Sequence, residues 1–208
     1  LGGVTPSSAA IQLARERIDI PLFVLVRPRG GDFHYSPVEL EVMKTDIAAA
    51  RDLGADGIVL GILREDGNVD VERTAELIEA SGGASITFHR AFDSTPDPLA
   101  ALEALRELGV SRVLTTGGAR RVEEGLAGLG KLVEAAAGRI GILPGGGINH
   151  ENCRQVVEQT GAGEIHVGSA VCSAGPRQEA SGLGPGGIEA PAPGGETDPE
   201  SVRRLLDL

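Results

Sequence analysis

The sequence predicts an α/β fold, a (β/α)8 barrel of the TIM type of which this chain carries about six β/α units. Three observations predict it. Short apolar strands alternate with helix-length amphipathic segments, a pattern that buries strands on both faces in a parallel sheet wrapped by helices. Two strands run out into charged clusters, Arg27-Pro28-Arg29-Gly30-Gly31-Asp32-Phe33 and His89-Arg90-Ala91-Phe92-Asp93. Strand C-termini are where β/α proteins gather their polar chemistry. Late in the repeat, Pro144-Gly145-Gly146-Gly147-Ile148-Asn149 and Gly168-Ser169-Ala170-Val171 follow consecutive strands, the order in which a barrel builds its phosphate site.

The elements follow in order. Gly2-Gly3-Val4-Thr5-Pro6 reads as a loop entering a helix at Ser7 or Ser8. Leu22 to Arg27 is the first strand, and Ser36-Pro37-Val38-Glu39 opens the next helix with an N-cap, a first-turn proline and a capping-box glutamate. Further strands are expected at Gly57 to Leu63, Ala84 to His89, Arg112 to Thr116, Ile140 to Leu143 and Glu164 to Gly168. Gly54, Gly109 and Gly161 each stop a helix shortly before a new strand. Six strands fall short of eight. If the opening loop follows a strand, about two strands precede it and the chain reads as a truncated barrel; the alternative is a complete six-stranded open sheet. Residues 173–197, rich in Gly, Pro, Ala and Ser without apolar periodicity, predict a flexible segment, as a linker or as a lid over the barrel mouth. Asp198 and Pro199 then open a terminal helix over 198–208, and the whole chain reads as one domain.

Composition narrows the partners. With 208 residues, 41% of them hydrophobic, the chain suffices for one core. A formal charge of −11 and no basic run argue against a nucleic-acid surface or an anionic membrane, leaving a small anionic ligand held by local arginines. Cys153 and Cys172 lack C-x-x-C spacing, and neither a signal peptide nor a bilayer-length apolar run accompanies them, which fits a reducing cytoplasm.

Strand parity nominates the site. If Ile86 and Phe88 face the helices, Ser85, Thr87 and His89 face the barrel interior, and the same argument turns His166 inward. His89 beside Asp93 or Asp32 is the candidate general acid/base, against the plainer reading of a satisfied core histidine. Arg27, Arg29 and Arg90 suit bidentate recognition of carboxylate or phosphate, or an internal ion-pair network with Asp32 and Asp93. Thr115 and Thr116, ahead of Gly117-Gly118, offer hydroxyls to a substrate, or form a plain turn. Gly145, Gly146, Gly147, Gly168 and Ser169 offer backbone amides to an anion. For a metal the weak candidates are His89 and His166; His150 and Cys153 have helix-face spacing but no companions to complete a ligand set.

The segments Arg27 to Phe33, Asp66-Gly67-Asn68-Val69-Asp70, Thr87 to Asp93 and Arg112 to Gly117 resemble the CutC family, named for copper homeostasis, over residues 1 to about 171. The resemblance implies a TIM barrel, a cytoplasmic and usually homo-oligomeric protein, two further strands ahead of the Gly-Gly-Val-Thr-Pro-Ser loop, and copper binding or tolerance. A barrel enzyme acting on a small phosphorylated or carboxylated metabolite is the alternative drawn from the residues themselves.

Overall fold

The computed structural model describes residues 3–172 and 197–206. Helix α1 (Ser8–Arg15) begins where the Ser7 hydroxyl accepts from Ala10 N–H, and strand β1 (Phe23–Leu25) follows. The chain then alternates through α2 (Pro37–Asp52), β2 (Gly57–Leu60), α3 (Val71–Ala80), β3 (Ser85–Phe88), α4 (Pro98–Glu107), β4 (Arg112–Thr115), α5 (Leu126–Ala136), β5 (Gly141–Pro144) and α6 (Cys153–Thr160), with α7 (Pro199–Leu206) last. Local sequence accounts for the boundaries. The Ser36–Glu39 capping box forms around Pro37, and Asp97 caps α4 ahead of Pro98. Gly161 ends α6 at φ 71°, a left-handed conformation that a side chain would strain.

The strands form one parallel sheet in chain order, β1-β2-β3-β4-β5. Leu25 pairs with Val59, Val59 with Thr87, Thr87 with Arg112, and Arg112 with Gly141. Alternation along the strands sorts two faces. Val24, Ile58, Leu60, Ile86, Phe88, Val113 and Ile142, none more than 6% exposed, pack in one core with Met43 and Ile47 of α2, Leu77 of α3, Leu105 of α4 and Leu129 of α5. Full burial of an apolar side chain of this size stabilises by about 1.5–3 kcal/mol, so this helix-facing layer holds the sheet in place. The other face presents Phe23, Leu25, Val59, Thr87, Leu114 and Leu143 to a cavity of about 720 Å3.

The sixth expected strand needs correction. Glu164 to Gly168 runs beside β5 through the His166 N–H, which donates to Pro144 O at 2.8 Å, but forms no ladder. A ladder requires main-chain bonds repeated at alternate residues. This segment is held instead by the Arg112–Glu164 ion pair at 3.1 Å and the packing of Ile165 and Val167 on the core. Among the described residues the sheet is therefore an arc, with β1 on one edge and β5 on the other, not a barrel closed by hydrogen bonds. The helix expected after Asp198 is α7, whereas residues 173–196 of the expected flexible segment lie outside the described residues. No helix among the described residues is long and apolar enough to cross a membrane.

Candidate functional site

Main-chain pairing continues past β1 and β3, from Val26 N–H to Val59 O and from His89 N–H to Leu60 O, both 2.8 Å. Rigid backbone thus carries Arg27 and His89 to the cavity wall, as strand parity predicts. Arg27 is 9% exposed. Its Nη1 donates to Gly3 O at 3.2 Å and its Nη2 to Gly31 O at 2.7 Å, while its own N–H donates to Thr5 Oγ1 at 3.0 Å. Its Nε is buried with no acceptor in good hydrogen-bond geometry; the Tyr35 hydroxyl is its neighbour, where burial raises the phenol pKa and Arg27 opposes that rise.

His89 is 7% exposed, and its Nδ1 accepts from Ala91 N–H at 3.1 Å. A backbone N–H can only donate, so Nδ1 is the bare nitrogen and the neutral ring carries its proton on Nε2. That Nε2 is buried and unpartnered. Burial, followed by the Arg27 charge, lowers the imidazole pKa from 6.5 to about 4. The Phe33 ring lies between these two groups, 5.0 Å from the His89 ring and 4.9 Å from the Arg27 guanidinium carbon. Sequence reasoning passed over Gly61. A Cβ there would stand 2.4 Å from His89 Cε1 and 2.5 Å from Nδ1, so this imidazole position requires glycine. The legible signal was its place one step beyond β2, in the row that includes Gly57 and Val59.

Neither aspartate orients His89, contrary to expectation. The Asp93 carboxylate accepts from Thr115 Oγ1 at 2.5 Å, Thr116 N–H at 3.1 Å and Gly118 N–H at 3.3 Å, and the Thr116 hydroxyl, 3.0 Å away, shares its one proton with Ala119 O at 2.6 Å. Arg90 Nε donates to it at 2.9 Å. The threonine hydroxyls thus fasten Asp93 across the ends of β3 and β4, and Asp93 in turn aims Arg90, which lines the cavity. Asp32 sits on the exposed loop after β1, accepting from Arg29 Nη2 at 3.0 Å and His34 N–H at 3.1 Å. Hydrogen bonds from Arg29 and from the His34 backbone hold its carboxyl below the usual range. Arg29 also donates to Glu39 Oε1 at 2.6 Å and His34 O at 2.6 Å, and its guanidinium carbon lies 5.2 Å from the Tyr35 ring centroid. It braces the loop instead of facing the cavity.

His166 lines the same cavity as His89 and lies next to Gly145; a Cβ on that glycine would come within 3.2 Å of His166 Cβ. The His166 side chain is exposed, yet enough protein surrounds it for desolvation to lower its pKa. At the strand-start end of the cavity, Arg112 bonds Glu164 and lies 4.7 Å from the Phe23 ring. In the glycine loop, Gly145 N–H is spent on Thr115 O at 3.0 Å. Side chains at Gly146 and Gly147 would crowd Arg90 Nη1 and Arg121 Nη2, each at 3.3 Å from the added Cβ. Two guanidinium groups therefore border the loop, and Arg121 was not anticipated. Gly168 precedes a single 3-10 turn, Ser169–Val171.

This donor set does not fit a copper centre. Nε2 of His89 keeps its proton because Ala91 N–H occupies Nδ1, so metal binding there requires an imidazolate or the loss of that hydrogen bond. Cys153 is buried in α6 with its Sγ 3.7 Å from His150 O, while His150 is exposed and Cys172 is exposed elsewhere. Among the described residues no three His, Cys, Asp or Glu side chains converge as a ligand group.

Known proteins share this architecture. The Copper homeostasis protein cutC homolog of Homo sapiens is 49% identical over 79% of this chain, and the chain spans 60% of that protein's length. A CutC crystal structure from Streptococcus agalactiae superposes with a TM-score of 0.77 at 37% identity, covering 79% of this chain and 82% of that one. The aldolase QR15 superposes with a TM-score of 0.59 at 19% identity over 76% of this chain and 73% of its own, a likeness of fold alone. These structural neighbours are TIM-barrel proteins, and the parallel α/β arc shares their fold. The CutC family pattern matches residues 1–171, and on these grounds the chain belongs to the CutC family.

Proposed function

We propose that this chain serves in copper homeostasis, the role named for its human relative, by binding a small organic anion in the barrel cavity instead of coordinating copper through His89. One observation carries the reading: His89 Nε2–H is a buried donor without an acceptor, on a strand end that lines the same cavity as the Arg27 guanidinium, whose Nε has only the Tyr35 hydroxyl as a polar neighbour. A buried donor left unmatched costs about 1–3 kcal/mol, which a carboxylate or phosphate oxygen recovers. The ligand's carbon skeleton meets Leu25, Val59, Leu114 and Leu143. A second anionic group belongs at Arg90 and the amides of Gly146, Gly147, Gly168 and Ser169, the position of the common barrel phosphate site. Thr115, Thr116 and Asp93 contribute by fixing Arg90. The cytoplasmic location and homo-oligomeric assembly implied by the family resemblance belong to the same proposal.

Native mass spectrometry of the purified chain, followed by calorimetry with inorganic phosphate, short dicarboxylates and copper, tests it. The expected result is anion binding that weakens about tenfold or more in Arg27→Ala, with copper binding indifferent to His89→Gln. Stoichiometric copper binding that disappears in His89→Gln, without any bound anion, overturns it.

A further inference from the structure

We propose, building on that anion-binding reading, that the cavity takes a carbonyl-bearing anion and exchanges the proton on the carbon beside the carbonyl, with His89 donating to the carbonyl oxygen and His166 carrying the proton. The two imidazoles face one cavity but are not equivalent. His89 is held from one side by Ala91 N–H, from another by the space left at Gly61, and across its face by Phe33. Its Nε2–H is therefore a fixed, neutral donor, unsuited to accept a proton and suited to polarise C=O. The Arg27 cation disfavours a second proton on the ring. His166 has neither constraint. No hydrogen bond fixes its tautomer among the described residues, and its lowered pKa leaves the ring neutral and able to accept a proton.

The step balances without a co-reactant. The bond from the α-carbon to hydrogen breaks, its electron pair forms the carbon–carbon double bond, and the carbonyl π pair moves onto oxygen. His166 takes the proton, while Nε2–H of His89 hydrogen-bonds the enolate oxygen. Return of a proton to the same or the adjacent carbon completes exchange or isomerisation. Phe33, 5.0 Å from the His89 ring, shields its donor from bulk water.

Proton NMR in D2O with dihydroxyacetone phosphate and 2-oxoglutarate as probes tests this on the full chain, with calorimetry of the same probes and circular dichroism of each variant. The expected result is deuterium incorporation beside the carbonyl, suppressed about 100-fold or more in His166→Ala and His166→Gln, with probe affinity changed less than about threefold. In His89→Phe both exchange and affinity should fall, whereas His89→Gln, which keeps a side-chain N–H, should retain more of each. A probe that binds wild type without exchange above the buffer rate overturns the proton-transfer proposal and leaves the anion reading intact. Exchange unaffected in the His166 variants overturns the role of His166. Probes that fail to bind at all remove the anion reading, and this inference with it.

Discussion

The Asp93 cluster and the cavity wall around Arg27 and His89 both stand where strands run out, yet they satisfy their polar groups in opposite ways. At the first, the Asp93 carboxylate is matched by the Thr115 hydroxyl, two backbone amides and a guanidinium. At the second, His89 Nε2 and His34 Nε2 are buried without partners, and Arg27 Nε and the Tyr35 hydroxyl have only each other as neighbours. Unmatched buried polar groups are rare in folded proteins because each costs stability, so a local concentration of them marks a surface shaped for something else. Charge at a strand end is thus two things, a staple where it is matched internally and a site where it is not.

Breaking the staple should produce the largest effect. Asp93→Ala leaves two amides, the Thr115 hydroxyl and Arg90 without their shared acceptor, and it should destabilise the fold by about 3–5 kcal/mol. Urea unfolding would show a lower midpoint at an unchanged slope. An unchanged midpoint would mean that the Asp93 cluster is no staple, and the contrast drawn above would collapse.

The site end should respond chiefly to pH. The unfolded His89 titrates near 6.5 and the folded one at about 4, so between these values the unfolded chain binds the extra proton. Stability is then full above about pH 6.5 and is lost as pH falls toward 4, by about 3 kcal/mol for this group. Desolvation of His166 acts in the same direction. The comparison is therefore between wild type and His89→Gln, whose unfolding free energy should decline less steeply across that window. Parallel pH profiles would show that His89 is not the titrating group.

Much of this was legible in the residues and some was not. Parity along Ser85 to Phe88 correctly turned His89 and Thr87 inward, because a sheet with one face on helices fixes every side chain's direction. The capping box at Ser36 and the helix-ending Gly161 were legible for the same local reason. The partner of His89 was not. Sequence proximity suggested Asp93, but the 3-10 turn Arg90–Ser94 carries that carboxylate toward Thr115 and Thr116 and brings Ala91 N–H to the imidazole instead. Backbone donors have no letter in a sequence. Arg29 was misjudged similarly, since only the folded loop shows that Glu39, Asp32 and the His34 carbonyl consume its hydrogen bonds. The segment at Glu164 had a strand's apolar alternation, but pairing depends on what lies beside it.

Gly61 sharpens the comparison at intermediate scale. Gly61→Ala places a methyl within 2.5 Å of His89 Nδ1 unless the ring moves, so the Ala91 hydrogen bond must lengthen or break. Overpacking of this kind costs about 1–3 kcal/mol. Ligand affinity should fall alongside stability, and the NMR shift of the His89 ring protons should report the displacement. Gly61→Ser at the same position should be no better tolerated. A variant that binds phosphate or dicarboxylate as wild type does would separate the His89 position from the site.

The smallest effect is expected at Asp32, although it lies in the most conspicuous charged motif of the chain. Its side chain is 61% exposed, and its partner Arg29 is 37% exposed and bonded elsewhere as well. A pair this open to solvent is screened, so the carboxyl's lowered pKa does not translate into comparable stability. Asp32→Asn should change the unfolding free energy by less than about 1 kcal/mol, and the change should shrink further at high salt. Anion binding should persist, because Arg27 and His89 are held by Gly3, Gly31 and Ala91 and not by Asp32. A large loss of affinity in Asp32→Asn with stability intact would assign the carboxylate to the ligand itself and move the working site from the cavity wall to the loop.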